Sequence, residues 1–146
     1  MTADVPCAAI PPLLLRTVPE TAGPLAELFR IPADGAVLSE DACIDLYEIL
    51  LDCFARPVLV PQLASAAPDA GLLDRCWGFV ERVVDHPSEH VSGAVYFQVL
   101  EQLLDAEGLV AAAWPHMRPR TRARTLRMLD FYGVRVHGIN DRWARR

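Results

Sequence analysis

The chain has 146 residues, 52% of them hydrophobic, and a formal net charge of −5. That length suits a single domain able to bury its own core. No stretch approaches the roughly 20 consecutive apolar residues that span a bilayer, so a membrane-crossing protein is excluded and a soluble one expected.

Residues 1–18 read as a Pro-rich, irregular arm lying on the body. Its apolar patch has Asp4 as the only charge ahead of it and is cut by Pro11-Pro12. A secretory signal wants basic residues there and an unbroken apolar run, so a cytoplasmic location is expected. A short helix is predicted over 20–30, with Pro19 at an early position, and then a loop over 31–38. Ser39 caps a strong helix whose first turn carries Glu40 and Asp41, and Pro57 is expected to stop it. A short helix loosened by Pro61 follows.

Pro68-Asp69 opens a helix with Leu72, Leu73, Cys76, Trp77, Val80, Val83 and Val84 at helical spacing. His86-Pro87 ends it, and Ser88 caps the next, running to about Asp105. Apolar residues from Val95 to Leu104 there cover an arc of about 200°, which marks a central helix packed on more than one side. A short helix to Trp114 and a last one from Pro119 to Tyr132 complete the set, with Gly133 at the expected left-handed stop.

No β alternation is present. The pattern predicts an all-α, compact bundle of about five to seven helices in antiparallel hairpins, for which a HEAT-like stack is one arrangement. Its divisions are an arm (1–18), a helical domain (19–132) and a tail (133–146). The expected core is Leu72, Trp77, Val80, Val84, Val95, Val99, Leu100, Leu103, Leu126 and Leu129.

Catalytic motifs are missing: there is no phosphate-binding glycine loop, nucleophile elbow or His-Glu-x-x-His. Cys7, Cys43, Cys53 and Cys76 include no Cys-x-x-Cys pair and read as plain buried thiols. His86 and His90 would share a face on a continuous helix, but Pro87 interrupts it, so they read as turn residues rather than metal ligands. His116 and His137 have no neighbouring carboxylate, and Cys76 as a nucleophile would need a base from elsewhere. No catalytic residue, metal ligand or cofactor is therefore assigned, and the chain is expected not to be an enzyme.

Charge carries more information. Residues 1–113 hold 17 Asp/Glu against 5 Arg, a balance of −12, and residues 114–146 hold 9 Arg against 2 Asp, a balance of +7. Such asymmetry points to a charged partner or to internal pairing. On the Ser39 helix, Asp41, Asp45, Glu48 and Asp52 fall within about 60° of arc at 100° per residue, a stripe with no arginine over 39–54 to relieve it. Glu81 and Asp85 share a face with Asp74 on the next long helix. We expect these acidic residues to meet a basic surface on a protein partner.

The basic counterpart is Arg118, Arg120, Arg124 and Arg127, with Arg122 among them. Arginines near a helix N-terminus oppose its dipole, so local stability does not explain them. Nucleic-acid contact would use such a patch. The acidic remainder and the absence of interleaved aromatics favour pairing with the acidic helices or a protein partner instead.

The run Leu72-Leu73-x-x-Cys76-Trp77-x-Phe79-Val80-Glu81, a polar turn with Glu89 and Val91, and then Tyr96-Phe97-x-x-Leu100-Glu101-x-Leu103 resembles a group of small bacterial all-helical domains. Those are similar in character to immunity proteins of bacterial toxin systems. The resemblance spans residues 71–132 and implies a helical binding protein rather than an enzyme. An accessory or regulatory protein of a bacterial operon is the other expectation. The oligomeric state is left open.

Overall fold

A computed structural model describes residues 5–141. Every regular element among them is helical, and no strand occurs, so the all-α expectation holds. The ends of the predicted arm (1–4) and tail (142–146) lie outside the described residues.

The arm itself is mostly a helix. After a 3₁₀ turn at Cys7–Ala9, α1 runs over Ile10–Thr17 and buries Ile10, Pro11, Leu13 and Leu14. Pro11 and Pro12 start this helix rather than break it, because the first-turn N–H groups have no intrahelical partner to lose. A further 3₁₀ turn leads into α2, Ala22–Phe29, which Arg30 closes in the left-handed conformation at φ 60°. The predicted loop over 31–38 contains α3, Ala33–Val37, with Ala36 and Val37 buried.

The Ser39 helix departs furthest from expectation. Glu40, not Ser39, stands at its N-cap and supplies no side-chain cap; Ser39 lies one residue earlier, its Oγ accepting the Asp41 N–H at 3.2 Å. The helix then breaks into α4 (Asp41–Ile44) and α5 (Leu46–Glu48), hinged at Asp45 with φ −88° and ψ 20°. Beyond it the chain winds as a π-helix over Ile49–Leu59, straight through Pro57 to α6, Val60–Ala64. A proline in an α-helix loses one hydrogen bond and drives its ring into the carbonyl four residues back; the wider π turn relieves that clash. Pro57 therefore loosens the winding without stopping it.

Asp69 opens α7, Ala70–Val83, by accepting the Leu72 N–H at 3.1 Å. The second long rod is α8 (Glu89–Val95), a π stretch (Tyr96–Leu100) and a 3₁₀ turn (Glu101–Leu104). Next come α9, Leu109–Ala113, and α10, Pro119–Tyr132, which Gly133 ends at φ 68°. The described part of the predicted tail, 133–141, packs Val134, Val136 and Ile139 against the core. Asn140 is buried there, accepting the Val136 N–H at 2.7 Å and donating to the Val134 carbonyl at 2.9 Å.

One continuous core joins these helices. Trp77, Phe54, Phe79 and Leu100 are among its largest fully buried side chains, and Leu72, Val80, Val84, Val95, Val99, Leu103 and Leu129 are buried as expected. Leu126 is only half-buried; α10 turns Thr121, Thr125, Met128 and Leu129 inward instead. The Thr125 hydroxyl reaches the Met117 sulfur at 3.5 Å, which lets a polar residue occupy a core position.

The cysteines divide into two kinds. Cys53 and Cys76 are buried free thiols as expected, and burial pushes each up to about 12. Cys7 and Cys43 are instead joined as a disulfide, which corrects their reading as plain thiols. No spacing in the sequence signals this pair, because α1 to α3 lie between its halves.

Candidate functional site: an acidic face and an acid–arginine clamp

The predicted site residues fall into two groups that the fold treats differently. Asp41, Glu48 and Asp52 are exposed and Asp45 is half-buried. None of Asp41, Asp45 and Glu48 takes part in an ion pair among the described residues; Asp52 meets Arg56, one helical turn on, at 3.5 Å. The sequence reading sought a relieving arginine only over 39–54 and so missed this partner. Because the segment hinges at Asp45 and then winds as a π-helix, the four carboxylates do not follow a single 100° period.

Two large apolar side chains stand exposed in the same stretch. Leu38 is 77% accessible and Ile44 72%, on either side of Asp41 in the chain. Phe131 is as open elsewhere on the surface, but Leu38 and Ile44 place apolar side chains among carboxylates. Sequence reasoning passed over both. Leu38 lay in the supposed loop, and Ile44 belonged to no marked apolar stripe.

Glu81 and Asp85 have a different environment. The Glu81 carboxylate, on α7, accepts the backbone N–H groups of Arg120 at 3.0 Å and Thr121 at 2.9 Å, and the Thr121 hydroxyl at 2.8 Å. It therefore caps the α10 N-terminus from outside that helix, where Arg118 at the N-cap supplies no side-chain cap. Burial alone would raise the Glu81 pKa. The hydrogen bonds from Arg120 and Thr121, with the Arg120 charge, outweigh it and hold the carboxyl below its ordinary value. Arg120 adds an ion pair at 3.6 Å, and Asp85 pairs with Arg124 at 3.4 Å.

The third rung is Asp74 with Arg118, also at 3.4 Å. Gly78 belongs to it: a Cβ there would stand 3.1 Å from the Arg118 guanidinium, so glycine lets the arginine lie across α7. Arg122 donates to the Trp114 carbonyl and sits over the indole at 4.9 Å. Of the predicted basic patch, Arg118, Arg120 and Arg124 are thus engaged by α7. Arg127 is exposed and enters no ion pair among the described residues. α7 is held on another side too, where Arg75 forks onto Glu20 with two bonds of 2.9 Å and keeps that carboxyl below its ordinary value.

The histidines of the α7–α8 turn act as tethers. His86 Nε2 lies 2.7 Å from the Val5 carbonyl and its Nδ1 accepts the Ser88 N–H, which fixes the proton on Nε2. His90 Nε2 lies 2.7 Å from the Cys43 carbonyl. As a result Cys7, Cys43 and His90 bring their possible ligand atoms within 4.8 Å of one another. The search for close-spaced ligands missed this cluster because its members come from three distant segments.

Fold and surface together define an all-helical domain with an acidic, apolar-studded face on one segment, where Asp41, Asp45 and Glu48 enter no ion pair among the described residues, and an acid–arginine clamp on another. No helix among the described residues is long and apolar enough to cross a membrane. Comparison with protein-family models, with curated proteins and with solved structures finds no match.

Proposed function

We propose that the chain is a non-enzymatic protein-binding domain whose face around Asp41, Asp45, Glu48 and Asp52 docks into a basic site on a partner protein. Its role would be that of a bacterial immunity protein, occluding a toxin's basic cleft in the cytoplasm. The observation that carries this reading is the contrast in pairing. Asp74 and Glu81 of α7, and Asp85 just past its end, meet arginines at the N-cap of α10 and within it, whereas Asp41, Asp45 and Glu48 meet none among the described residues and flank exposed Leu38 and Ile44. Like charges crowded on a surface oppose one another, and a cationic partner relieves that cost. Leu38 and Ile44 supply the apolar anchors that carry affinity, while the carboxylates steer association and select the partner.

Glu81 and Asp85 then belong to the architecture and not to the docking face. The same engagement of Arg118, Arg120 and Arg124 weighs against α10 as a nucleic-acid reader. The test is differential capture from the native host. Wild-type chain and the Asp45→Arg/Ile44→Asp variant are used as baits, followed by mass spectrometry and a growth-rescue assay with each protein captured. A basic toxin retained by wild type, lost by the variant and neutralised in cells supports the reading. Identical captures by both baits, or capture without neutralisation, overturn it.

A further inference from the structure

We propose that, when Cys7 and Cys43 are reduced, their thiolates and the His90 imidazole form a binding site for a zinc-class divalent cation. This goes beyond partner binding, and its test involves no partner. Three segments meet here: the turn before α1, α4 and the first turn of α8. They place two sulfurs and a ring nitrogen within 4.8 Å of one another. Two thiolates with an imidazole are the donor set that suits zinc and related soft or borderline ions.

The surroundings fit as well. A carbonyl oxygen only accepts, so the 2.7 Å contact between His90 Nε2 and the Cys43 carbonyl puts the proton on Nε2. In the neutral ring, Nδ1 then keeps the lone pair. Ligand histidines recurrently show this division, one nitrogen on the metal and the other donating to a carbonyl. His86, bonded to the Val5 carbonyl at 2.7 Å, holds the Cys7 segment beside α8. The cysteine Cα atoms are 5.6 Å apart, so side-chain rotation suffices to part the sulfurs around a shared ion. Beside His90 lies a cavity of about 490 Å³, lined also by Tyr47 and Glu89; three protein ligands leave a fourth position for water in a tetrahedral zinc site.

The disulfide is the oxidised form of this site. Two thiolates surrender two electrons as the S–S bond forms. A small-molecule disulfide takes them up and departs as two thiolates, and the cation is released because its sulfur ligands are gone. Cys53 and Cys76 are fully buried and stand apart from the cluster, which makes them an internal control.

Cobalt(II) is the probe. The full chain, reduced and metal-free, is titrated with Co²⁺ and then with Zn²⁺. The expected result is thiolate-to-cobalt charge-transfer bands and tetrahedral d–d bands that saturate at a single ion per chain and disappear as Zn²⁺ displaces Co²⁺. Cys7→Ser and Cys43→Ser should abolish them, and His90→Ala should weaken binding on the order of 10-fold or more. Oxidised glutathione should release the zinc to a colorimetric chelator. Binding by the Cys7→Ser/Cys43→Ser double variant equal to that of wild type would assign the signal to Cys53 and Cys76 and overturn the site. If that variant does not fold, His90→Ala, purified with its disulfide intact and then reduced, decides: affinity equal to wild type overturns the three-ligand site.

Discussion

Asp74, Glu81 and Asp85, on α7 and just past its end, and Asp41, Asp45, Glu48 and Asp52 upstream, look alike in sequence, each group spaced to share a helix face. In the folded chain the first group is spent on its neighbour, each carboxylate meeting an arginine at the N-cap of α10 or within it. The second is left open: Asp41, Asp45 and Glu48 pair with nothing cationic among the described residues, and the segment is fastened by the Cys7–Cys43 disulfide instead. Acidic periodicity thus does not report what covers a carboxylate, and over 41–52 the hinge at Asp45 and the π winding change even the spacing it assumes. The outcome is decided by which helix the arginines reach, and α10 lies against α7.

If the two regions are held by different means, they should fail under different conditions. The largest effect is expected on the α4 side. The disulfide closes a loop with a sequence separation of 36; chain-entropy reasoning assigns such a crosslink about 4 kcal/mol. Urea melts in metal-free buffer should therefore show a loss of that order on adding a reductant, with little dependence on salt. A shift below about 1 kcal/mol would mean that the surrounding contacts, not the crosslink, fasten α4.

Next comes Glu81, whose side chain is 13% exposed. Glu81→Ala leaves the α10 N-terminus uncapped and strands the buried Thr121 hydroxyl, a cost of about 2–3 kcal/mol. The pH dependence has a definite sign. The folded-state pKa lies below the ordinary value, so the Glu81 contribution is complete above about pH 5 and is lost as pH falls through the folded pKa. Acid titrations followed by circular dichroism should show the wild-type chain losing stability over this range and Glu81→Gln losing less. Equal slopes would remove Glu81 from the clamp's centre.

The Asp85–Arg124 rung is smaller. Both side chains are about a third exposed, 34% and 32%, so solvent screens the pair and a double-mutant cycle should return about 0.2–1 kcal/mol, shrinking in high salt. The Arg124 Nε is buried without a hydrogen-bond partner, which further limits what the residue contributes. A coupling well above that range would make the clamp cooperative rather than additive.

These contrasts also explain what the residues disclosed in advance. Apolar spacing over Leu72–Val84 and Val95–Leu104 marked the two long rods and most of the core, because apolar patterning is local to the chain and shows even where the winding turns π or 3₁₀. The helix start at Asp69 and the stop at Gly133 were readable for the same local reason, whereas the cap expected at Ser39 falls at Glu40. Prolines are less legible: Pro11 and Pro12 sit in a first helical turn, where a helix tolerates them, and π winding absorbs Pro57. Long-range meetings left no local mark: Cys7 with Cys43, His90 with the Cys43 carbonyl, and Glu81 with the α10 N-terminus each join segments far apart in the chain. Leu38 and Ile44 were invisible for a further reason, since exposure of an apolar residue can be judged only once its neighbours are placed.

The smallest effect on stability is the most informative for function. Asp45→Asn with Glu48→Gln removes two carboxylates that enter no ion pair among the described residues. Exposed like charges at helical spacing repel by only a few tenths of a kcal/mol, so thermal melts should show stability unchanged or slightly raised, at both low and high salt. A clear loss that vanishes in high salt would reveal a cationic neighbour and erase the difference between the two regions. Binding to the captured partner should respond in the opposite sense, through a slower on-rate with a shallower salt dependence and a nearly unchanged off-rate, because rim charges steer encounter more than they hold the complex. Ile44→Ala supplies the complementary measurement. An anchor seated in the partner should speed dissociation and leave the salt dependence of association as it was. Stopped-flow association at several ionic strengths separates the two; an unchanged on-rate for the double variant would take the acidic face out of recognition altogether.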